Sequence, residues 1–258
     1  MPHLTVNGAN LYYEQAGSGE HALVLIHGNV ASSRWWDDLF APLAEQFTVV
    51  RLDLRGCGQS EPAGGNSVAQ YAADVQGLLE QLGLKRVTVV GHSLGGAVSM
   101  QLAVTAPELL EGMVLINSAP AEGLVTPEER KPLIEMMIQD RNLMKMSLAA
   151  VIPTKASGEF FETLVDDAMI AGPTCVPNYT SLGETDYRPL LANTNVPTLI
   201  VFGTQDSLIT LEMTQRTKDS IPGSEILFYE GIGHSPNIEA PERLLADLKA
   251  WVQEKVGV

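Results

Sequence analysis

Cysteine is nearly absent from this chain: Cys57 and Cys175 are the only two among 258 residues. Neither belongs to a C-x-x-C pair, and no Cys/His cluster has the spacing of a zinc site, so no metal is expected. Two reduced thiols in a cytosolic protein are the plainer account, with a Cys57–Cys175 disulfide as the alternative. Basic residues are also scarce. Lys and Arg total 16 against 31 Asp and Glu, a formal net charge of -15 at pH 7. That imbalance argues against nucleic acid and against anionic membrane surfaces as partners. No apolar run approaches the ~20 residues needed to span a bilayer. The start Met1-Pro2-His3-Leu4 has no basic segment leading into an apolar one, so no signal peptide is read and a cytoplasmic location is expected. Repeats and low-complexity tracts are missing too.

What remains is ample material for a core. Hydrophobic residues make up 45% and charged residues 18%, which suits one large α/β domain with room for an insertion. Short alternating runs at Leu4–Val6 and Leu11–Gln15 flank Asn7-Gly8, a strong hairpin signal. Ala22–Ile26 is apolar throughout, the pattern of a strand covered on both faces. Further strands are read at 47–53, 87–90, 113–116, 196–202 and 225–229, making eight. Helical spacing is read over 32–46, with Ser32 or Ser33 as N-cap, and over 67–83, 97–103, 211–220 and 238–256. This alternation predicts a mostly parallel eight-stranded sheet with helices on both faces, and functional groups at the carboxyl ends of its strands.

The rhythm breaks near Ser118. Residues 119–188 carry no clear strand but helix-like pieces at 127–137, 143–151 and 159–170, with five of the nine methionines. The expected organisation is a core of residues 1–118 and 189–258 with a helical cap of residues 119–188 over the crevice. Methionine suits an adaptable apolar surface; packing the cap onto the core is the equal alternative. Met136 and Met144 are the candidates to touch substrate. Trp35 and Trp36 are adjacent and leave their helix in different directions; Trp36 is the candidate to reach the pocket, core packing the alternative.

The chemistry centres on Gly91-His92-Ser93-Leu94-Gly95. A β-branched strand precedes it and a helix follows, so the chain must bend sharply there, with glycines where side chains would collide. Such a turn lifts the Ser93 hydroxyl to a helix N-terminus and aims the Leu94 amide at whatever Ser93 attacks. A serine needs a base, and the base needs an orienting carboxylate. His234 follows the last strand between glycines and a helix, and Asp206 follows the strand before it. His92, beside Ser93, points away from it, and His27 shapes its own loop. Asp53 and Arg55 hold the loop after their strand. Gly28 lets the backbone come close enough for the Asn29 amide to join Leu94 in an oxyanion hole, with action through the Asn29 side chain as the alternative.

The segments His27-Gly28-Asn29, Asp53-Leu-Arg-Gly-Cys-Gly-Gln-Ser60, Gly91-His-Ser-Leu-Gly-Gly96, Gly203-Thr-Gln-Asp206 and Gly231-Ile-Gly-His234, in this order, resemble the α/β-hydrolase fold. The likeness is to its capped esterase, lactonase and haloalkane-dehalogenase-like superfamily, and it covers essentially the full length. It implies a Ser93–Asp206–His234 triad, an oxyanion hole at Asn29 and Leu94, and no cofactor. In some relatives the acid follows an earlier strand, here near Asn117, which is not ionised. Haloalkane dehalogenases and epoxide hydrolases place aspartate where this chain has Ser93, so those activities are disfavoured. The leading expectation is hydrolysis of small, largely apolar carboxylic esters or lactones. The alternatives are carbon–carbon bond hydrolysis, cofactor-free perhydrolysis, or a small-ligand-binding module. Oligomeric state is open.

Overall fold

The computed structural model describes residues 2–257. In chain order its elements are β1 (His3–Val6), β2 (Ala9–Ala16), β3 (Ala22–Ile26), α1 (Asp37–Ala44), β4 (Thr48–Leu52), α2 (Val68–Gln81), β5 (Val87–His92), α3 (Leu94–Thr105) and β6 (Leu110–Ile116). Five helices follow without a strand: α4 (Lys131–Met137), α5 (Arg141–Val151), α6 (Glu159–Ala171), α7 (Cys175–Leu182) and α8 (Arg188–Leu191). Then come β7 (Thr198–Gly203), α9 (Leu211–Asp219), β8 (Glu225–Tyr229), α10 (Pro236–Glu239) and α11 (Pro241–Lys255). Among the described residues no helix is long and apolar enough to cross a membrane.

The eight strands form one sheet in the order β1-β2-β4-β3-β5-β6-β7-β8. Only the β1–β2 and β2–β4 pairings are antiparallel; the others are parallel. This is the α/β-hydrolase fold. Asn7 and Gly8 both take positive φ (48° and 77°), the two-residue turn that matches strand twist and pairs Val6 with Ala9.

Period-two alternation sends successive side chains to opposite faces. Val24, Ile26, Met113 and Leu115 enter one apolar layer, closed by Tyr71, Val75 and Leu78 of α2 and Val98 and Leu102 of α3. Leu23, Leu25, Val114 and Ile116 enter the other, closed by Leu39 and Leu43 of α1 and Leu248 and Trp251 of α11. Burial on both faces is why these strands read as unbroken apolar runs.

The stretch between β6 and β7 builds a third apolar cluster from Met144, Leu148, Phe161, Leu164 and Val165, which closes on Trp35 and Ile238. Its later part, with Ala171, Leu182, Tyr187 and Leu191, joins the layer beneath the sheet. Two features differ from the sequence reading. Helices α7 and α8 were not expected, because Pro177 stands within α7; it lies in the first turn, where the missing N–H breaks no helical bond. The single helix expected over 238–256 is two, because Pro241 starts a new helix after Ala240 leaves the helical region at φ −140° and ψ 51°.

Candidate functional site

The turn from β5 into α3 sets the geometry. Ser93 has φ 53° and ψ −114°, a left-handed conformation that costs a non-glycine residue about 1–3 kcal/mol. A Cβ at Gly91 would lie 2.2 Å from the Gly95 carbonyl, and one at Gly95 would lie 2.2 Å from the Ile26 carbonyl. The turn is held by its neighbour strand: Ser93 N–H donates to the Ile116 carbonyl at 3.0 Å, and the Ser93 carbonyl accepts from Ala119 N–H at 3.0 Å.

Asp206 and His234 leave β7 and β8, at the same sheet edge. His234 Nδ1–H donates to Asp206 Oδ2 at 2.7 Å, with the carboxylate side chain wholly buried. Leu208 and Ile209 N–H donate to Asp206 Oδ1 at 2.7 and 3.0 Å. Burial works to raise the Asp206 carboxyl. The His234 charge, with hydrogen bonds from His234, Asn117 and Ile209, outweighs it and holds the group below the usual carboxylate range.

Asn117 is a site residue whose role the sequence reading missed; it weighed the position only as an acid. Its Nδ2 donates to Asp206 Oδ2 at 2.5 Å, and its Oδ1 accepts from Gly203 N–H at 3.0 Å. It ties the end of β6 to the loop after β7. The available signal was its place just past a strand end beside Ser93.

Ser93 and His234 line one cavity of about 450 Å³, with Asn29 and Trp35 on the sheet side and Ile134 and Tyr179 from the inserted helices. His92 stacks on Trp35 (ring centroids 5.4 Å apart, interplanar angle 20°) and donates Nε2–H to the His234 carbonyl at 3.0 Å. Burial, then the neighbouring His234 charge, lowers its pKa to about 3, so it is neutral. His27 accepts from Leu54 N–H through Nε2 at 3.0 Å and donates Nδ1–H to the Gly28 carbonyl at 2.8 Å. It braces its loop.

Neither the Asn29 nor the Leu94 backbone amide has an intrachain acceptor among the described residues. The Asn29 side chain is engaged elsewhere. Its Oδ1 accepts from Val30 N–H at 3.1 Å and from Asn178 Nδ2 at 2.7 Å, and its Nδ2 donates to Cys175 Sγ at 3.6 Å. Asn178 Oδ1 in turn accepts from Tyr71 at 2.7 Å, and both residues are fully buried. Asn178, on the unexpected α7, left no signal in the sequence.

Three expected pocket residues lie elsewhere. Trp36 has no exposed surface and packs in the α1 side of the core with Leu39 and Leu43; Trp35 faces the cavity instead. Met144 is fully buried within the inserted helices. Met136 is 58% exposed, and Met137 lines the cavity in its place. Consecutive residues on an α-helix point about 100° apart and those on a 3₁₀ turn about 120°. An adjacent pair therefore divides between cavity and packing according to a phase that spacing alone leaves open. Among the described residues no three His, Cys, Asp or Glu side chains converge so as to hold a metal ion.

Known proteins share this architecture. A model of the alpha/beta hydrolase family matches residues 23–248. An uncharacterised protein of Mycobacterium tuberculosis is 31% identical over 265 residues, covering 93% of this chain and 77% of its own length. A 2-hydroxy-6-oxononadienedioate/2-hydroxy-6-oxononatrienedioate hydrolase of Pseudomonas sp. is 25% identical over 245 residues, covering 89% and 86%. The solved structure of Est816, an N-acyl homoserine lactone degrading enzyme, is similar with a TM-score of 0.84 at 25% identity, covering 96% of this chain and 99% of its own.

Proposed function

This chain belongs to the alpha/beta hydrolase family, and we propose that it is a serine hydrolase cleaving small carboxylic esters or lactones through an acyl-enzyme on Ser93. The observation that carries the reading is Ser93, strained at a helix N-terminus, in one cavity with a His234 whose far nitrogen is bonded to a buried Asp206. With Nδ1–H donated to Asp206, the His234 Nε2 lone pair is the available base.

Ser93 Oγ attacks the carbonyl carbon as His234 Nε2 takes its proton. Asp206 steadies the imidazolium, and the Asn29 and Leu94 amides receive the oxyanion. Collapse breaks the C–O bond, and His234 returns the proton to the leaving alcohol. Water then attacks the acyl-enzyme, its proton going to His234, and Ser93 is released with the acid product. Residues 119–188 serve as a cap over the core of residues 1–118 and 189–258. The cavity draws its lining from both, which supports that division.

A fluorophosphonate probe tests the nucleophile. Wild-type protein is expected to label, and Ser93→Ala to lose labelling entirely; undiminished labelling of the variant ends the assignment. Carbon–carbon bond hydrolysis is the second reading, favoured by the likeness to the Pseudomonas hydrolase. Turnover of a 2-hydroxy-6-oxo-dienoate in preference to p-nitrophenyl butyrate would select it.

A further inference from the structure

We propose that the cavity holds a carboxylate-binding subsite at Arg130, so that the preferred ester or lactone carries a free carboxylate remote from the scissile carbonyl. The inference rests on the hydrolase reading above and deepens it.

Among the described residues, Arg130 is the only Asp, Glu, Lys or Arg lining the cavity of Ser93 and His234. It is also exceptional among the arginines. Arg34, Arg51, Arg55, Arg86, Arg141, Arg188, Arg216 and Arg243 each have a carboxylate within 4.0 Å. Among the described residues, Arg130 is the remaining arginine, and its guanidinium has no such partner. In a chain with 31 acidic and 16 basic residues, an unpaired guanidinium at a cavity wall is a departure from the general pattern.

Among the described residues none of the nearby carboxylates pairs with it. Lys131 is paired with Glu128 at 2.5 Å. Glu184 lines an adjoining chamber of about 200 Å³, which shares Val125, Thr126, Ile134 and Tyr179 with the main cavity, and it makes no ion pair with Arg130. Tyr179, whose hydroxyl burial pushes up to about 12, lines the same cavity. The cavity wall is mostly apolar, and Val125, Leu133 and Leu208 stay exposed while lining it. A flexible or aromatic stem would lie against these side chains, and its carboxylate would accept a forked pair of hydrogen bonds from the guanidinium. In a chain of formal net charge -15, a cation at the cavity wall attracts an anionic substrate toward Ser93.

The carboxylate has two possible sources, the acyl group or the alcohol. The test compares kcat/KM for mono-4-nitrophenyl glutarate with 4-nitrophenyl butyrate, and for 3-carboxyphenyl butyrate with phenyl butyrate. In at least one pair the anionic ester is expected to lead by about fivefold, the scale of an exposed charge pair. Arg130→Gln should erase that lead and leave the neutral esters unchanged, Arg130→Lys should keep part of it, and added salt should weaken it. Equal rates within both pairs, or an equal loss on charged and neutral esters in Arg130→Gln, overturns the subsite. If no ester turns over, the hydrolase reading fails on its own. The subsite is then decided by calorimetric binding of 3-phenylpropanoate against its amide: an advantage for the carboxylate that Arg130→Gln removes upholds it, and equal binding rejects it.

Discussion

His92 and Ser93 share one turn, and the surroundings treat them differently. Ser93 meets the cavity, whereas His92 is 2% exposed with its ring stacked on Trp35. The His92 pKa is lowered to about 3, against an unfolded value of about 6.5. Between those values the unfolded chain binds a proton that the folded one refuses, so stability falls as pH falls through that window. The contribution is roughly 1.4 kcal/mol per pH unit. Urea unfolding at pH 6, 5 and 4 should carry this contribution, and the pH dependence of His92→Asn should be shallower by about that amount; parallel curves would refute the assignment. At this scale Asp206 and His234, which the structure brings within hydrogen-bond distance, could be singled out because strand ends followed by glycine-rich turns are visible in the sequence. It did not separate Trp35 from Trp36 or Met136 from Met137, because helical phase depends on what the helix packs against.

At the scale of elements, α7 is the piece that connects the inserted helices with the loop of Asn29. Asn178 donates to Asn29 and accepts from Tyr71. Asn178→Ala removes that support and leaves the Tyr71 hydroxyl without its acceptor. If the Asn29 amide receives the oxyanion as proposed, kcat should drop about tenfold with KM little changed, less than for outright loss of a donor, since the amide is displaced and not deleted. Steady-state kinetics on one ester decide it; a rise in KM alone would place Asn178 in binding. The strands β3 and β8 were readable to the residue because unbroken apolar or alternating runs have clear limits. Helix α7 was hidden because Pro177 resembles a break, and only its position in the first turn makes it tolerable.

Across the whole molecule, the loop after β4 is tied to α2 by a buried pair. Arg55 Nε and Nη2 reach Asp74 at 2.6 and 2.7 Å, and Arg55 Nη1 donates to the Ala63 and Gly64 carbonyls. Asp74→Ala leaves a buried guanidinium charge without its counter-ion and should cost about 3–5 kcal/mol in a denaturant melt. A loss below 1 kcal/mol would mean that the loop is held by other contacts. The overall architecture was readable because the alternation of strands and helices spans the chain; the part of the cavity lining that residues 119–188 supply was not, because that segment has no such alternation.

That segment departs from and returns to neighbouring strands. The chain leaves the carboxyl end of β6 and re-enters the sheet at the amino end of the adjacent, parallel β7, where Met113 pairs with Thr198, so the excursion closes across a gap that the two paired strands fix. Closing a longer excursion across a fixed gap costs only about 0.6 kcal/mol per doubling of length. Evolution is therefore free to lengthen, trim or replace the roof of the cavity without re-threading the strands beneath it. Substrate range in such a chain can drift through the roof while the proton-handling groups stay where they are.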